Sequence, residues 1–223
     1  MAQSKFTTIG RKVLMALSGF FLMFFLLQHL AINMLSVVSP ETFNSVSHFM
    51  GYNFFIQALM QPVLIFAIFF HFIMGMWLEW KNWKARSIKY SYNKPGQNSN
   101  WMSRNMIYSG LVVLAFLGLH MAFMWAPEMD YKYISGLEED PTRYYEELKH
   151  KFTLLPVVII YVISFVFLAL HLLHGFQSSF QSVGFNNNKY TPTIKKLGNI
   201  FAIAVPALFA FIAIYHFLNP LHH

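Results

Sequence analysis

Apolar residues dominate five long stretches of the chain that contain no Asp, Glu, Lys or Arg: 13–40, 42–78, 105–127, 152–188 and 197–223. Each is rich in Phe, Leu, Ile, Val and Met, and each exceeds the roughly 20 residues a helix needs to cross a bilayer core. The pattern predicts five transmembrane helices, over about 13–36, 56–80, 105–126, 153–178 and 199–219. The fold class expected is an all-α integral membrane protein, with residues 1–223 forming one transmembrane domain.

The polar positions fall between these runs. Segment 79–104 contains Asn93-Lys94-Pro95-Gly96 and reads as a loop. Segment 127–152 predicts a short helix, with Asp140 as N-cap, Pro141 in the first helical position and helix formers over Tyr144–Leu148. A similar helix is expected in 37–55, after Ser39-Pro40. The first apolar run is too long for a signal-peptide core, and no small-residue cleavage site follows it.

Charge gives the helices a direction. Lys5, Arg11 and Lys12 precede the first helix; Lys81, Lys84, Arg86, Lys89, Lys94 and Arg104 separate the second and third; Lys189, Lys195 and Lys196 separate the fourth and fifth. The other two loops carry Glu41 alone, or seven acids against four bases in 127–152. Positive loops stay in the cytoplasm, so the N-terminus is expected inside and the C-terminus outside. The net charge of +7 thus reads as a topology signal and a docking face, not as a nucleic-acid footprint. Trp77, Trp80, Trp83, Trp101 and Trp125 fall near helix ends, as an interfacial aromatic belt does. The chain has no cysteine, which excludes disulfides, thiolate-bound zinc, iron–sulfur clusters and covalently attached haem.

Four of the apolar runs each place a histidine deep inside the predicted helix: His29, His71, His120 and His171. An ionisable side chain in hydrocarbon is costly and calls for a partner or a function. At 1.5 Å per helical residue, His29 lies about 25 Å and His120 about 24 Å from the inner edge, whereas His71 lies about 12 Å from it. His171 matches His71 in depth, because His71/Gly75 and His171/Gly175 share the spacing His-x3-Gly. Two layers result, each with two histidines on different helices, which is the requirement for two bis-histidine haems. Gly75 and Gly175, one turn from the histidine on its own face, leave room for a flat porphyrin; helix–helix contact is the alternative reading of these glycines. Helices one and three also share Gly-x9-His, as Gly19/His29 and Gly110/His120. That spacing lies about 80° off the histidine face and hints only at a duplicated helix pair.

His174, one turn from His171, is the rival ligand on the fourth helix; otherwise it is a partner for a haem propionate or lines a quinone pocket with Gln177. His216 is expected to hydrogen-bond structurally, and His48, His150, His222 and His223 receive no function. Pro206 is a candidate kink in the fifth helix. Catalytic triads, phosphate loops and His-Glu-x-x-His are absent, and no acid occurs in any apolar run, which weighs against a proton-driven transporter.

Leu170-His171-Leu172-Leu173-His174-Gly175-Phe176-Gln177-Ser178-Ser179-Phe180-Gln181, together with Gly10-Arg11-Lys12, Leu17-Ser18-Gly19 and Gln28-His29-Leu30, resembles the five-helix, di-haem cytochrome b subunit of succinate dehydrogenases and fumarate reductases, in its Bacteroidota-like form. The resemblance implies a membrane anchor that carries electrons by way of two haem b groups between an iron–sulfur subunit and a quinone, menaquinone above all. It implies His29 and His120 on the outer haem and His71 and His171 on the inner. It also implies a partner flavoprotein with FAD that carries the dicarboxylate chemistry. Some family members place a glutamate of a proton path two residues before the fourth-helix ligand; Ala169 stands there in this chain. The rival readings are the cytochrome b anchor of a formate dehydrogenase or hydrogenase, and a haem-free membrane protein.

Overall fold

The computed structural model describes residues 8–85 and 106–220. The loop motif at Asn93-Lys94-Pro95-Gly96, Trp101, five of the topology cations (Lys5, Arg86, Lys89, Lys94, Arg104), His222 and His223 lie outside the described residues. Among the described residues there are helices and no strand. Without water to bond its peptide groups, a chain crossing a membrane in one piece satisfies them within each helix.

Five helical segments are long and apolar enough to span a membrane. They are built on α1 (Thr8–Val38), α3 (Gln61–Ala85), α4 (Met106–His120), α6 (Leu155–Ser182) and α7 (Thr191–Leu218). Two shorter helices, α2 (Pro40–Tyr52) and α5 (Arg143–Lys151), lie between them. The end that carries α2 and α5 is called outer here, following the charge asymmetry of the loops.

Local chemistry sets the boundaries. Ser39 caps α2 as its spacing suggested: its Oγ accepts the Thr42 N–H at 3.2 Å, and Pro40 occupies the first turn. Helix α5 starts later than the sequence reading placed it. Asp140 spends its carboxylate on the N–H and hydroxyl of Thr142, at 2.8 and 2.6 Å, so Thr142 becomes the N-cap. Helix α6 ends in a Schellman turn: Gly184 adopts φ +97°, the Phe185 N–H reaches the Phe180 carbonyl at 3.0 Å and the Gly184 N–H reaches that of Gln181 at 3.2 Å.

Two π-helical turns, Ile56–Met60 leading into α3 and Met121–Trp125 following α4, each precede a proline at the same offset, Pro62 and Pro127. Proline has no N–H for the carbonyl one turn back, and a widened turn absorbs that loss. Helix α7, by contrast, passes through Pro206 without a break in assignment.

Helix α6 is the centre of the bundle, packing along α7, α4 and α1; α3 packs on α1 and more lightly on α4. The main apolar cluster sits in the outer half, where Leu30, Phe152, Val158, Tyr161, Phe165, Phe209 and Ile212 are buried together.

Candidate functional site

The histidines meet in the two pairs expected from their depths. The rings of His29 (α1) and His120 (α4) have centroids 5.8 Å apart, and those of His71 (α3) and His171 (α6) 6.4 Å apart. A metal–imidazole bond is about 2 Å long. With the ring centre roughly 1 Å beyond the nitrogen, two axial imidazoles on one metal stand about 6 Å apart. Both separations match that span. Among the described residues no group of three or more His, Cys, Asp or Glu gathers at one point; these imidazoles stand two by two. Two imidazoles supply the axial ligation of a haem whose other four bonds come from the porphyrin.

Hydrogen bonds orient one ring in each pair. His71 Nδ1 lies 3.0 Å from Ser18 Oγ, and that hydroxyl donates its proton to the Met15 carbonyl at 2.8 Å. Having one proton, Ser18 can only accept from His71, so Nδ1 carries the hydrogen and Nε2 is left with a free lone pair. In the other layer His120 Nδ1 lies 3.2 Å from Tyr161 Oη. The partners are held more loosely. His171 Nδ1 is buried without a hydrogen-bond partner. Asn33 Nδ2 stands 3.5 Å from both His29 ring nitrogens and makes its real bond to the His29 carbonyl, at 2.8 Å.

The glycines divide into two kinds. Gly175 has open space where a side chain would point, and Gly75 faces only the end of Met15, 3.4 Å from an added Cβ. Gly19 and Gly110 instead let the inner rings approach neighbouring backbones: an added Cβ would stand 3.7 Å from His71 Cε1 at Gly19 and 3.5 Å from His171 Cε1 at Gly110. At Gly19 it would also meet Ser179 Oγ at 3.1 Å. The Gly-x9-His spacing relates each of these glycines only to the histidine of its own helix. A longer repeat carried the signal: Met15-x2-Ser18-Gly19-x9-His29 recurs as Met106-x2-Ser109-Gly110-x9-His120. In both copies the serine Oγ bonds the methionine carbonyl, at 2.8 and 2.9 Å.

His174 is half-buried and makes no hydrogen bond to a described residue; His71 pairs with His171 and not with it. His216 is fully buried and its Nε2 meets Ser36 Oγ at 2.8 Å, tying α7 to α1.

Above the outer pair lies a cleft of about 310 Å³, lined by Gln28, His29, Asn33, Glu128, Tyr144 and Lys151 among others. Glu41 and His216 do not line it. Glu128 pairs with Lys132 at 2.5 Å and Arg143 at 2.5 Å, and Arg143 also pairs with Glu147 at 2.7 Å. Burial alone would lower the Arg143 pKa, yet its hydrogen bonds to Glu147 and Glu128 hold it above the ordinary value. Burial, then the Glu128 charge, raises Tyr144, whose hydroxyl is buried without a partner. Burial lowers the Lys151 pKa.

No protein-family model and no solved structure matches the chain. Among curated proteins, it is similar to the succinate dehydrogenase cytochrome b558 subunit of Bacillus subtilis (strain 168), at 29% identity over 97 residues. That stretch is 44% of this chain and 45% of the relative, so the likeness spans less than half the length of either protein.

Proposed function

We propose that this chain is the membrane-anchor cytochrome b subunit of a succinate:quinone oxidoreductase. In this role it carries electrons by way of two haem b groups between an iron–sulfur subunit and a membrane quinone, with menaquinone the expected one. The observation that carries the reading is the two stacked pairs of facing imidazoles, each with the span of an axial ligand pair. The partial likeness to a succinate dehydrogenase cytochrome b558 subunit supports this anchor over that of a formate dehydrogenase or hydrogenase.

When bound, haem supplies one-electron chemistry at its iron. The chain's own residues do the rest. His71 and His171 hold the inner group, His29 and His120 the outer, and Gly75 and Gly175 leave the porphyrin its space. Ser18 and the Met15 carbonyl keep His71 in the tautomer that ligates through Nε2. Phe25, Phe116 and Phe209 pack against the rings of the outer pair. His174 stays available for a propionate of the inner group. The cleft above His29 takes the quinone: Asn33 and Gln28 offer hydrogen bonds to a carbonyl, and Lys151 a cation beside it. The N-terminus is cytoplasmic, and the basic inner loops dock the iron–sulfur subunit, which in turn carries the FAD flavoprotein. Dicarboxylate chemistry takes place on the flavoprotein, not on this chain.

The test is purification of the intact complex, with subunit identification and a haem-to-protein ratio. Two low-spin haems b per chain, with flavoprotein and iron–sulfur partners, are expected. A ratio near one, a high-spin spectrum, or hydrogenase or formate dehydrogenase partners would overturn the reading. In sealed vesicles, quinone reduction at the outer cleft takes up its protons outside, so turnover should respond to an uncoupler; indifference would remove the cleft as the site.

A further inference from the structure

Each histidine pair contains one ring fastened by a hydroxyl and one that is not. In the inner pair the fastened ring is His71, bonded to Ser18 Oγ at 3.0 Å; in the outer pair it is His120, bonded to Tyr161 Oη at 3.2 Å. Their opposite numbers, His171 and His29, have no ring hydrogen bond of good geometry. The repeat does not dictate this. Ser109 is the counterpart of Ser18, yet it bonds only the Met106 carbonyl, and His171 Nδ1 is left without a partner. The two hydroxyls also differ in what they can offer. Ser18 is committed as an acceptor, because its proton is on Met15. Tyr161 Oη, buried in the apolar cluster, has no partner other than His120 for its single proton among the described residues.

We propose that Ser18 and Tyr161 are paired positioning residues, one for each layer, and that each sets the redox potential of its own haem through the Nδ1 hydrogen bond of a single axial histidine. This rests on the reading of the four histidines as axial ligands. A hydroxyl that accepts the Nδ1 proton draws it away from the ring and makes Nε2 a stronger donor. A stronger axial donor stabilises ferric over ferrous iron, so each bond lowers the potential of its layer. Ser18, whose acceptor role is enforced by Met15, does so more strongly than Tyr161, whose own proton has no acceptor except the nitrogen it must not block.

The experiment is an optical redox titration of the purified complex, resolving the two haems, for the unaltered chain and for Ser18→Ala, Ser18→Thr, Ser109→Ala and Tyr161→Phe. Ser18→Ala should shift the inner ferric-to-ferrous equilibrium at least about threefold toward ferrous, an upward change of ~28 mV at ~59 mV per tenfold for one electron. The outer haem should not move. Tyr161→Phe should shift the outer haem alone and by less. Ser109→Ala should leave both near their original values, and Ser18→Thr, which keeps the hydroxyl, should return the inner potential.

Loss of the inner haem from Ser18→Ala but not from Ser18→Thr supports positioning equally well. Ser18→Ala that leaves the inner potential in place, or moves both haems together, overturns the proposal. So does loss of the inner haem from both Ser18 variants, which would make Ser18 a packing residue. A chain whose unaltered complex lacks two low-spin haems fails at the underlying reading instead, and does so before any variant is made.

Discussion

The two histidine layers share a design of facing imidazoles but stand in different surroundings. The outer pair is embedded in aromatic side chains, with Phe25 and Phe209 against His29 and Phe116 and Tyr161 against His120. Above it, α2, α5 and the Glu128–Arg143 ion-pair cluster close the end of the bundle. Neither inner histidine has an aromatic neighbour among the described residues except the other. Small residues stand against the inner pair instead: Ser18, Gly19 and Gly110. One layer is shaped by bulk that fills space, the other by the absence of bulk that allows close approach. Substitutions should therefore injure the two layers in opposite ways, the outer when side chains are cut back and the inner when they are enlarged.

The largest effect should come from the ligands themselves. His71→Ala or His171→Ala should reduce the complex from two haems to one and stop electron entry from the iron–sulfur side. His29→Ala or His120→Ala should remove the outer haem and leave the inner one assembled. A pyridine haemochrome ratio with low-temperature spectra distinguishes these cases. If His174→Ala loses a haem while His171→Ala keeps both, the inner pair is His71 with His174.

Next in size is the enlargement test. Gly110→Leu puts a branched side chain where an added Cβ already stands 3.5 Å from His171 Cε1, and should cost the inner haem alone. Gly118→Leu, on the same helix but with nothing within 4 Å of an added Cβ, should keep both haems. Equal loss from the two variants would show that helix insertion, not ring approach, is at stake.

The smallest effect sharpens the outer side. Glu128→Ala leaves Arg143, only 9% exposed, with Glu147 alone and strips Lys132 of its acid. Breaking such a buried pair costs about 3 kcal/mol. The detergent-solubilised complex should melt earlier, while the inner haem spectrum is unchanged. A melting point that does not move would make the cluster a solvated surface network.

The helices were legible because a membrane forbids charge over a length that sequence can count. That criterion marks the lipid-buried stretch and not the helix. Helix α7 begins at Thr191, eight residues ahead of the expected start, since Lys195 and Lys196 are helical and exposed. The pairing of the histidines was legible from depth, counted by helical rise for His29, His71 and His120 and fixed for His171 by the His-x3-Gly spacing it shares with His71. The supports of the inner pair were not. Gly19 and Ser18 serve His71 of the next spanning helix, and Gly110 serves His171, so no argument confined to one helix face could reveal them. The start of α5 was missed for a different reason: Asp140 bonds the N–H and hydroxyl of Thr142 across a turn that precedes the helix, and Thr142 itself makes no side-chain cap bond.

Helix α7 carries none of the four paired histidines. It meets the rest of the bundle along α6 and α1 through apolar packing and one fully buried bond, His216 to Ser36. Its obligations are volume almost everywhere and chemistry at one position. Over most of α7, then, one apolar residue can replace another, Leu for Ile, at little cost as long as the contact surface is refilled. Two positions are fixed: His216 by its bond, and Gly198 by its neighbour, since an added Cβ would stand 2.8 Å from the Phe176 ring.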